Sequence, residues 1–135
     1  MNGNRLILFA HGSRDPVWLE TFRRLARDMS AQLGADRIDL AFMEFSGPTL
    51  FDVLGDAETD GACDIKVLPL FLSAGGHVSR DIPRLIDSAK MRFPGLDIEL
   101  LPPIGEYRSF SALVHWIARS ALSSGCARTV GSNTA

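Results

Sequence analysis

Two histidines and one glutamate are spaced so that they could bind one metal ion together. His11, Glu44 and His77 follow one another at intervals of 33 residues. Two imidazoles and a carboxylate form a suitable ligand set for Co2+, Fe2+, Ni2+ or Zn2+. Plainer interpretations stay open at this point. A single His beside a strand end is more often a hydrogen-bonded loop residue, Glu44 would also suit a solvated edge, and equal spacing can arise by chance.

Basic and flexible residues lie close to these candidates in the sequence. Arg14 and Arg80 each follow a candidate histidine by three residues, and planar guanidinium groups suit carboxylate partners. Glycines in the same loops allow backbone to approach a bulky flat ligand. Arg84 and Arg108 are expected at the same end of the sheet and would suit the same partners, but for these two the alternative is ordinary helix-surface charge. We predict that an acidic ligand is contacted by Ser13, Arg14, Gly75, Gly76 and Arg80.

Alternating strands and helices are needed to bring these residues together. Short apolar runs predict strands at Arg5–Ala10, Arg37–Phe45, Asp64–Leu72 and Leu96–Leu101. Apolar residues at helical spacing predict helices from Pro16, after Ser46-Gly47-Pro48, at Val78–Phe93 and at Ser109–Leu122. In the last of these, His115 is expected to be half-buried and outside the site.

This alternation predicts an α/β fold. Helices of such length return the chain to a parallel neighbour, so we expect a doubly wound, mainly parallel four-stranded sheet flanked by helices, a flavodoxin-related three-layer sandwich. Ligands bind outside the carboxyl ends of the strands in such sheets. His11, Glu44 and His77 follow the first, second and third strands, which places all three at that edge.

Composition limits the class of protein. The 135 residues and 46% hydrophobic content fit one globular domain, which we predict at residues 1–123 with a disordered tail at 124–135. A net charge of -2 argues against nucleic-acid binding. The apolar stretch Ile65–Ala74 is too short to span a membrane, and residues 1–5 lack a signal-peptide pattern, so we expect a soluble cytoplasmic protein. Cys63 and Cys126 show no metal-binding spacing.

Three motifs resemble one enzyme family. Leu8–Pro16 (LFAHGSRDP), Ala41–Leu50 (AFMEFSGPTL) and Pro69–Pro83 (PLFLSAGGHVSRDIP) are similar to the class II chelatases that act on sirohydrochlorin, especially the short CbiX form and its siroheme relative. The similarity covers residues 5–123 in the right order. The resemblance implies that His11 and His77 bind the metal and take up pyrrole protons, and that Glu44 is a further metal-binding or proton-handling group.

The resemblance also implies an activity, which is insertion of Co2+, Fe2+ or Ni2+ into a sirohydrochlorin-type tetrapyrrole for cobalamin or siroheme synthesis. The metal is a substrate, and no organic cofactor is expected. One four-stranded domain supplies one wall for so large a ring, so we expect a homodimer. Two alternatives are a non-catalytic metal or tetrapyrrole carrier and a flavodoxin-like domain that binds no metal. The resemblance does not decide which metal is inserted or which of the two pathways the product enters. Trp18 is a large ring where many members of the family have a smaller residue, and it could fill the site or lie against the macrocycle.

Overall fold

The computed structural model describes residues 3–34, 38–73, 75–76 and 78–132. The strands are β1 (Asn4–Ala10), β2 (Ile38–Phe42), β3 (Asp64–Pro69) and β4 (Asp97–Leu100). The helices are α1 (Pro16–Leu33), α2 (Leu50–Thr59), α3 (Val78–Arg92) and α4 (Arg108–Ser132), with a 3-10 turn at Ile104–Glu106. In the part of the chain described, no helix combines the length and hydropathy needed to cross a membrane.

The sheet confirms the predicted fold class. Its strands are parallel and stand in the order β2-β1-β3-β4. In this order the chain reverses direction across the sheet next to β1, and such a point is where doubly wound proteins form a ligand crevice. Two of the strands end earlier than predicted, β2 at Phe42 and β3 at Pro69. Beyond these residues both segments continue as irregular loops outside the hydrogen-bonded strands. The loop after β2 contains a cis Gly47-Pro48 bond.

Local sequence signals fix where the helices begin. Asp15 is the N-cap of α1, and its side chain accepts a hydrogen bond from the Val17 backbone N–H at 2.9 Å. Thr49 and Asp52 form a reciprocal capping box at the start of α2. Each cap lies directly after a strand-end loop, so it also fixes the position of that loop.

The core lies mainly on one side of the sheet. Ile7, Phe9, Ile65 and Val67 are fully buried beneath α2 and α3, where they form the larger apolar cluster. The other face carries Leu6, Leu8 and Ala10 of β1, and α1 packs over it next to β2. A smaller cluster forms there, in which Ala10, Leu19 and Phe42 are the buried members.

The last helix differs from its prediction in two respects. Its backbone is helical to Ser132, so the predicted end at Leu122 is too early. No proline interrupts the segment, and its Ala, Ser and Arg residues are compatible with a helix. His115 is exposed, and the expectation that it is half-buried is wrong, because this part of α4 is exposed on every side. The tail predicted at 124–135 includes residues 133–135, which lie outside the described residues.

Candidate active site

The loop after β1 is fixed by short-range hydrogen bonds. The Ser13 hydroxyl accepts a hydrogen bond from the Asp15 N–H at 3.0 Å, and Asp15 in turn caps α1. These contacts hold residues 11–15 against the start of the helix. His11 is left at the carboxyl edge of the sheet with 47% of its side chain exposed.

The loop after β2 is held against the first loop by backbone contacts. The Met43 N–H donates to the Ala10 carbonyl at 2.8 Å, and the Glu44 N–H donates to the His11 carbonyl at 3.0 Å. Gly12 has a φ of 99°, and a Cβ at this position would lie only 1.8 Å from the Glu44 carbonyl oxygen. The close approach of the two loops therefore requires glycine at position 12.

This approach brings His11 and Glu44 into contact. The His11 Nε2 atom lies 3.2 Å from a Glu44 carboxylate oxygen, and half of the Glu44 side chain is exposed. The other ring nitrogen of His11 is 3.4 Å from the Gly12 carbonyl oxygen. An imidazole nitrogen and a carboxylate oxygen at this separation can share a proton or bind the same divalent ion. The structure thus brings together two of the three predicted ligands.

Aromatic rings flank the histidine on two sides. Phe71 meets the His11 ring edge-on with centroids 6.3 Å apart, and the Phe45 ring lies tilted at 6.4 Å. Phe45 is 55% exposed and has a φ of 70°, which is uncommon for a residue with a side chain. The Arg14 guanidinium carbon lies 4.8 Å from the centroid of the Phe45 ring. This geometry is that of a cation–π contact.

A shallow depression of about 390 Å³ joins these groups. Its lining consists of His11, Gly12, Ser13, Arg14 and Phe45. Phe45 was missed by the sequence analysis. The signal available was its position between a candidate ligand and the Ser46-Gly47-Pro48 turn, where a strand has ended and an aromatic side chain no longer has a sheet face to pack on.

The end of β3 is held in place by a second glycine that the sequence analysis missed. The Gly105 N–H donates to the Phe71 carbonyl at 3.2 Å, and a Cβ on Gly105 would lie 1.9 Å from the Leu72 carbonyl oxygen. This contact fixes the segment that presents Phe71 to His11. The Pro-Pro-Ile-Gly sequence before it signals a turn but not the loop that the turn contacts.

The structure brings none of the other predicted site residues into contact with His11 or Glu44 within the part of the chain that it describes. His77 lies outside the described residues, so its role as a ligand stays a prediction. Gly75 and Gly76 are exposed, and Gly76 has a φ of 67°. Arg80 is exposed in the first turn of α3. Among the residues described, no group of three His, Cys, Asp or Glu side chains is arranged to hold a metal ion.

Comparison with known proteins identifies the family. The CbiX family model matches residues 5–121. The chain belongs to the CbiX family. Its similar curated relatives include a protein named sirohydrochlorin cobaltochelatase from Saccharolobus islandicus, 34% identical over 106 residues that span 74% of this chain and 81% of the relative. A protein of the same name from Methanococcus aeolicus is 33% identical over 60% of this chain and 57% of its own.

Solved structures of CbiX-type proteins share the fold. A CbiX protein from Marinobacter aquaeolei, described as putative in cobalamin biosynthesis, superposes with a TM-score of 0.79 at 31% identity, covering 89% of this chain and 95% of that one. The sirohydrochlorin chelatase SirB from Bacillus subtilis in complex with cobalt gives a TM-score of 0.69 at 28% identity over 77% of this chain. The match covers 44% of the SirB chain, so this CbiX chain spans less than half of SirB.

Proposed function

We propose that the chain is a sirohydrochlorin chelatase that inserts Co2+ or Fe2+ into the ring, with His11 and Glu44 handling the metal and the ring protons. The observation that carries the proposal is the 3.2 Å contact between His11 and Glu44 at the carboxyl edge of a CbiX-family sheet. The relatives named above support the substrate. Structures of SirB with cobalt and with Fe3+ support the two metals.

The reaction exchanges one divalent ion for two protons. Two pyrrole N–H bonds break, four ring nitrogens bind the metal, and two protons leave. A neutral His11 imidazole binds the incoming ion through Nε2, and the Glu44 carboxylate beside it binds the same ion or accepts a proton that the ring releases. We assign His77 as the second histidine of this site on the strength of its motif.

The surface around His11 suits a flat ring with acidic substituents. Val17, Phe45 and Leu72 are large apolar side chains at this edge that are 76%, 55% and 67% exposed. They offer apolar contact to the macrocycle, and Arg14 and Arg80 can pair with its peripheral carboxylates. Ser13, Gly75 and Gly76 complete the set of ring-contacting residues that we propose.

The proposal includes a homodimer in the cytoplasm. One chain supplies one wall, while SirB is more than twice as long as the segment matched here. A second copy would supply the opposite wall without any further domain.

The test is metal insertion without oxygen, followed by the change in the visible spectrum of sirohydrochlorin. Wild type, His11→Ala and Glu44→Gln are compared with Co2+ and with Fe2+. We expect His11→Ala to lower kcat by about 100-fold or more with both metals, because binding and proton transfer are lost together. His115→Ala removes an exposed histidine of α4 and is the matched control, which should keep the wild-type rate.

Two results would reject the proposal. A wild-type protein that binds sirohydrochlorin and Co2+ yet adds nothing to the spontaneous rate is a carrier. A His11→Ala protein with the wild-type rate shows that the metal enters elsewhere. The ratio of the two wild-type rates distinguishes a cobalt enzyme from an iron enzyme.

A further inference from the structure

The imidazole of His11 lies between two different neighbours, a carboxylate on one side and a phenyl ring on the other. β1 stands between β2 and β3 in the sheet. Glu44, beyond the end of β2, lies 3.2 Å from the His11 Nε2 atom. Phe71, beyond the end of β3, meets the His11 ring edge-on with centroids 6.3 Å apart. A phenyl ring carries no hydrogen-bonding atom, so Phe71 gives the imidazole an apolar wall on the β3 side.

The register of the strands brings Phe71 beside His11. β1 and β3 are parallel with Phe9 opposite Pro69, and the Leu70 N–H donates to the Phe9 carbonyl at 2.8 Å. The two segments therefore stay side by side just past the ends of the strands. Because side chains alternate between the faces of a sheet, His11 and Phe71 follow on a common face, where their rings meet.

Phe71 is held more firmly than the histidine that it contacts. Its ring is partly buried against the larger apolar cluster, whereas 47% of the His11 side chain is exposed. The Gly105 N–H donates to the Phe71 carbonyl at 3.2 Å, and a Cβ on Gly105 would clash with the Leu72 carbonyl oxygen. Glycine at this position therefore lets the 3-10 turn approach the backbone that carries Phe71. The core and the turn together fix the phenyl ring.

The remaining contacts of His11 restrain its ring weakly. The torsion that turns a histidine ring has broad minima, so a half-exposed imidazole can adopt several orientations. Its Nδ1 atom is 3.4 Å from the Gly12 carbonyl oxygen, which is long for a hydrogen bond. Glu44 and Phe45 are themselves about half exposed. Of the described neighbours of this imidazole, Phe71 is the one whose ring is anchored in the core.

We propose that Phe71 is a positioning residue whose anchored ring holds the His11 imidazole so that Nε2 faces Glu44. Gly105 acts one step further away, because it keeps Phe71 in place. The inference rests on the proposed function, in which His11 binds the incoming ion through Nε2. Among the described residues, those that line the depression beside His11 do not include Phe71. Phe71 should therefore affect the rate of insertion rather than the binding of the tetrapyrrole.

The first experiment separates kcat from KM in the insertion assay. Phe71→Leu keeps an apolar side chain but removes the flat ring. We expect kcat to fall about 10-fold with the KM for sirohydrochlorin unchanged, and Phe71→Tyr, which keeps the ring, to have the wild-type kcat. Phe51→Leu is the matched control, since Phe51 is also partly buried against the larger cluster but contacts Phe93. It should lose similar stability without any change in kcat.

The second experiment measures the mobility of the His11 ring in the metal-free protein by 13C relaxation of its ring carbons. The His11 signals are assigned by their loss in His11→Ala, and the exposed ring of His115 is the internal reference. In wild type and in Phe51→Leu we expect a restricted His11 ring. In Phe71→Leu its mobility should approach that of His115. Gly105→Ala, which displaces Phe71 without removing it, should give the same mobile ring and the same loss of kcat.

The outcomes that would overturn the inference are distinct from failure of the proposed function. A restricted His11 ring and an unchanged kcat in Phe71→Leu reject the positioning role and leave the chelatase standing. An equal loss of kcat in Phe51→Leu rejects it as well, because the loss would then follow stability. If wild type inserts no metal, the proposed function fails, and the relaxation measurement alone decides whether Phe71 orders the ring.

The role of Gly105 has its own criterion. A Gly105→Ala protein that is folded by circular dichroism and has a restricted His11 ring with the wild-type kcat would reject it. If this variant does not fold, the two Phe71 variants and their Phe51→Leu control still decide whether Phe71 positions His11.

Discussion

The amino and carboxyl edges of the sheet use similar residues in different settings. At the amino edge Arg5 bonds Asp39 at 3.0 Å and Asp60 at 2.7 Å, and Lys66 lies 3.0 Å from both Asp64 and Glu99. At the carboxyl edge the ionisable and aromatic side chains stand half in solvent. His11, Glu44 and Phe45 are each about half exposed there. Asp60, Lys66 and Glu99 are also about half exposed, so the difference lies in the kind of contact. The amino edge joins its charges in ion pairs of opposite sign, whereas the carboxyl edge presents an imidazole, a carboxylate and an aromatic ring that together suit a ligand.

This contrast predicts that substitutions at the amino edge affect stability alone, whereas substitutions at the carboxyl edge affect insertion. Three matched pairs and one pH dependence test it.

The largest difference in stability is expected between two phenylalanines. Phe93, near the amino edge, is 7% exposed and packs against Phe51 with ring centroids 6.3 Å apart. Phe93→Ala should lower the free energy of unfolding by about 3–5 kcal/mol, because it leaves a cavity in the core. Phe45→Ala should cost less than about 1 kcal/mol and instead raise the KM for the tetrapyrrole. Urea unfolding and insertion kinetics measure the two effects, and equal losses of stability would contradict the contrast.

Two glycines with positive φ give the second pair. Gly61, in the turn before β3, has a φ of 86° and open space where a Cβ would lie, so Gly61→Ala should cost about 1 kcal/mol of backbone strain and leave insertion unchanged. Gly12→Ala adds a clash with the Glu44 carbonyl. It should cost about 2–3 kcal/mol and abolish insertion, since the two loops must separate. If Gly12→Ala retained full activity, the close approach of the loops would not matter to the site.

Sequence patterns located the strands and the candidate ligands because these depend on local signals. The apolar run before His11 and the turn sequence Ser46-Gly47-Pro48 after Glu44 were enough to place both residues at one edge of the sheet. Their contact at 3.2 Å depends on backbone pairing between residues 43–44 and 10–11 and on the space that Gly12 leaves, neither of which a single sequence encodes visibly.

The packing of the last helix is a feature that the sequence does not predict. The spacing of Leu113, Trp116 and Ile117 predicts that α4 has an apolar surface, but spacing does not say what covers that surface. The same holds for Gly105, whose contact with Leu72 joins segments that are far apart in the chain.

Two arginines give a smaller difference. Arg5 has 11% of its side chain exposed. Burial alone lowers the pKa of the Arg5 guanidinium, but hydrogen bonds to Asp60 and Asp39 outweigh it and raise that pKa above its ordinary value. Arg5→Met should cost about 1 kcal/mol of stability and leave insertion intact. Arg14→Met, which removes the contact with Phe45, should leave the unfolding midpoint in place and weaken tetrapyrrole binding. The reverse pattern would contradict the division between the edges.

The smallest effect is a pH dependence at Lys66. Hydrogen bonds to Asp64 and then to Glu99 raise the pKa of its ammonium group above the ordinary 10.5. A pKa that is higher in the folded than in the unfolded chain contributes stability fully below the unfolded value, and that stability is lost as pH rises through the folded value.

The stability difference between wild type and Lys66→Met should therefore be constant from about pH 8 to about pH 10 and shrink above it. Lys90→Met, on the exposed side of α3, is the control for loss of one lysine. A stability difference that grew with pH would mean that the pKa of Lys66 is lower in the folded chain than in the unfolded chain, and would contradict the stabilising contacts with Asp64 and Glu99. Arg5 keeps its charge throughout this range, so the amino edge should lose only the Lys66 contribution, and the carboxyl edge should show no matching change in stability.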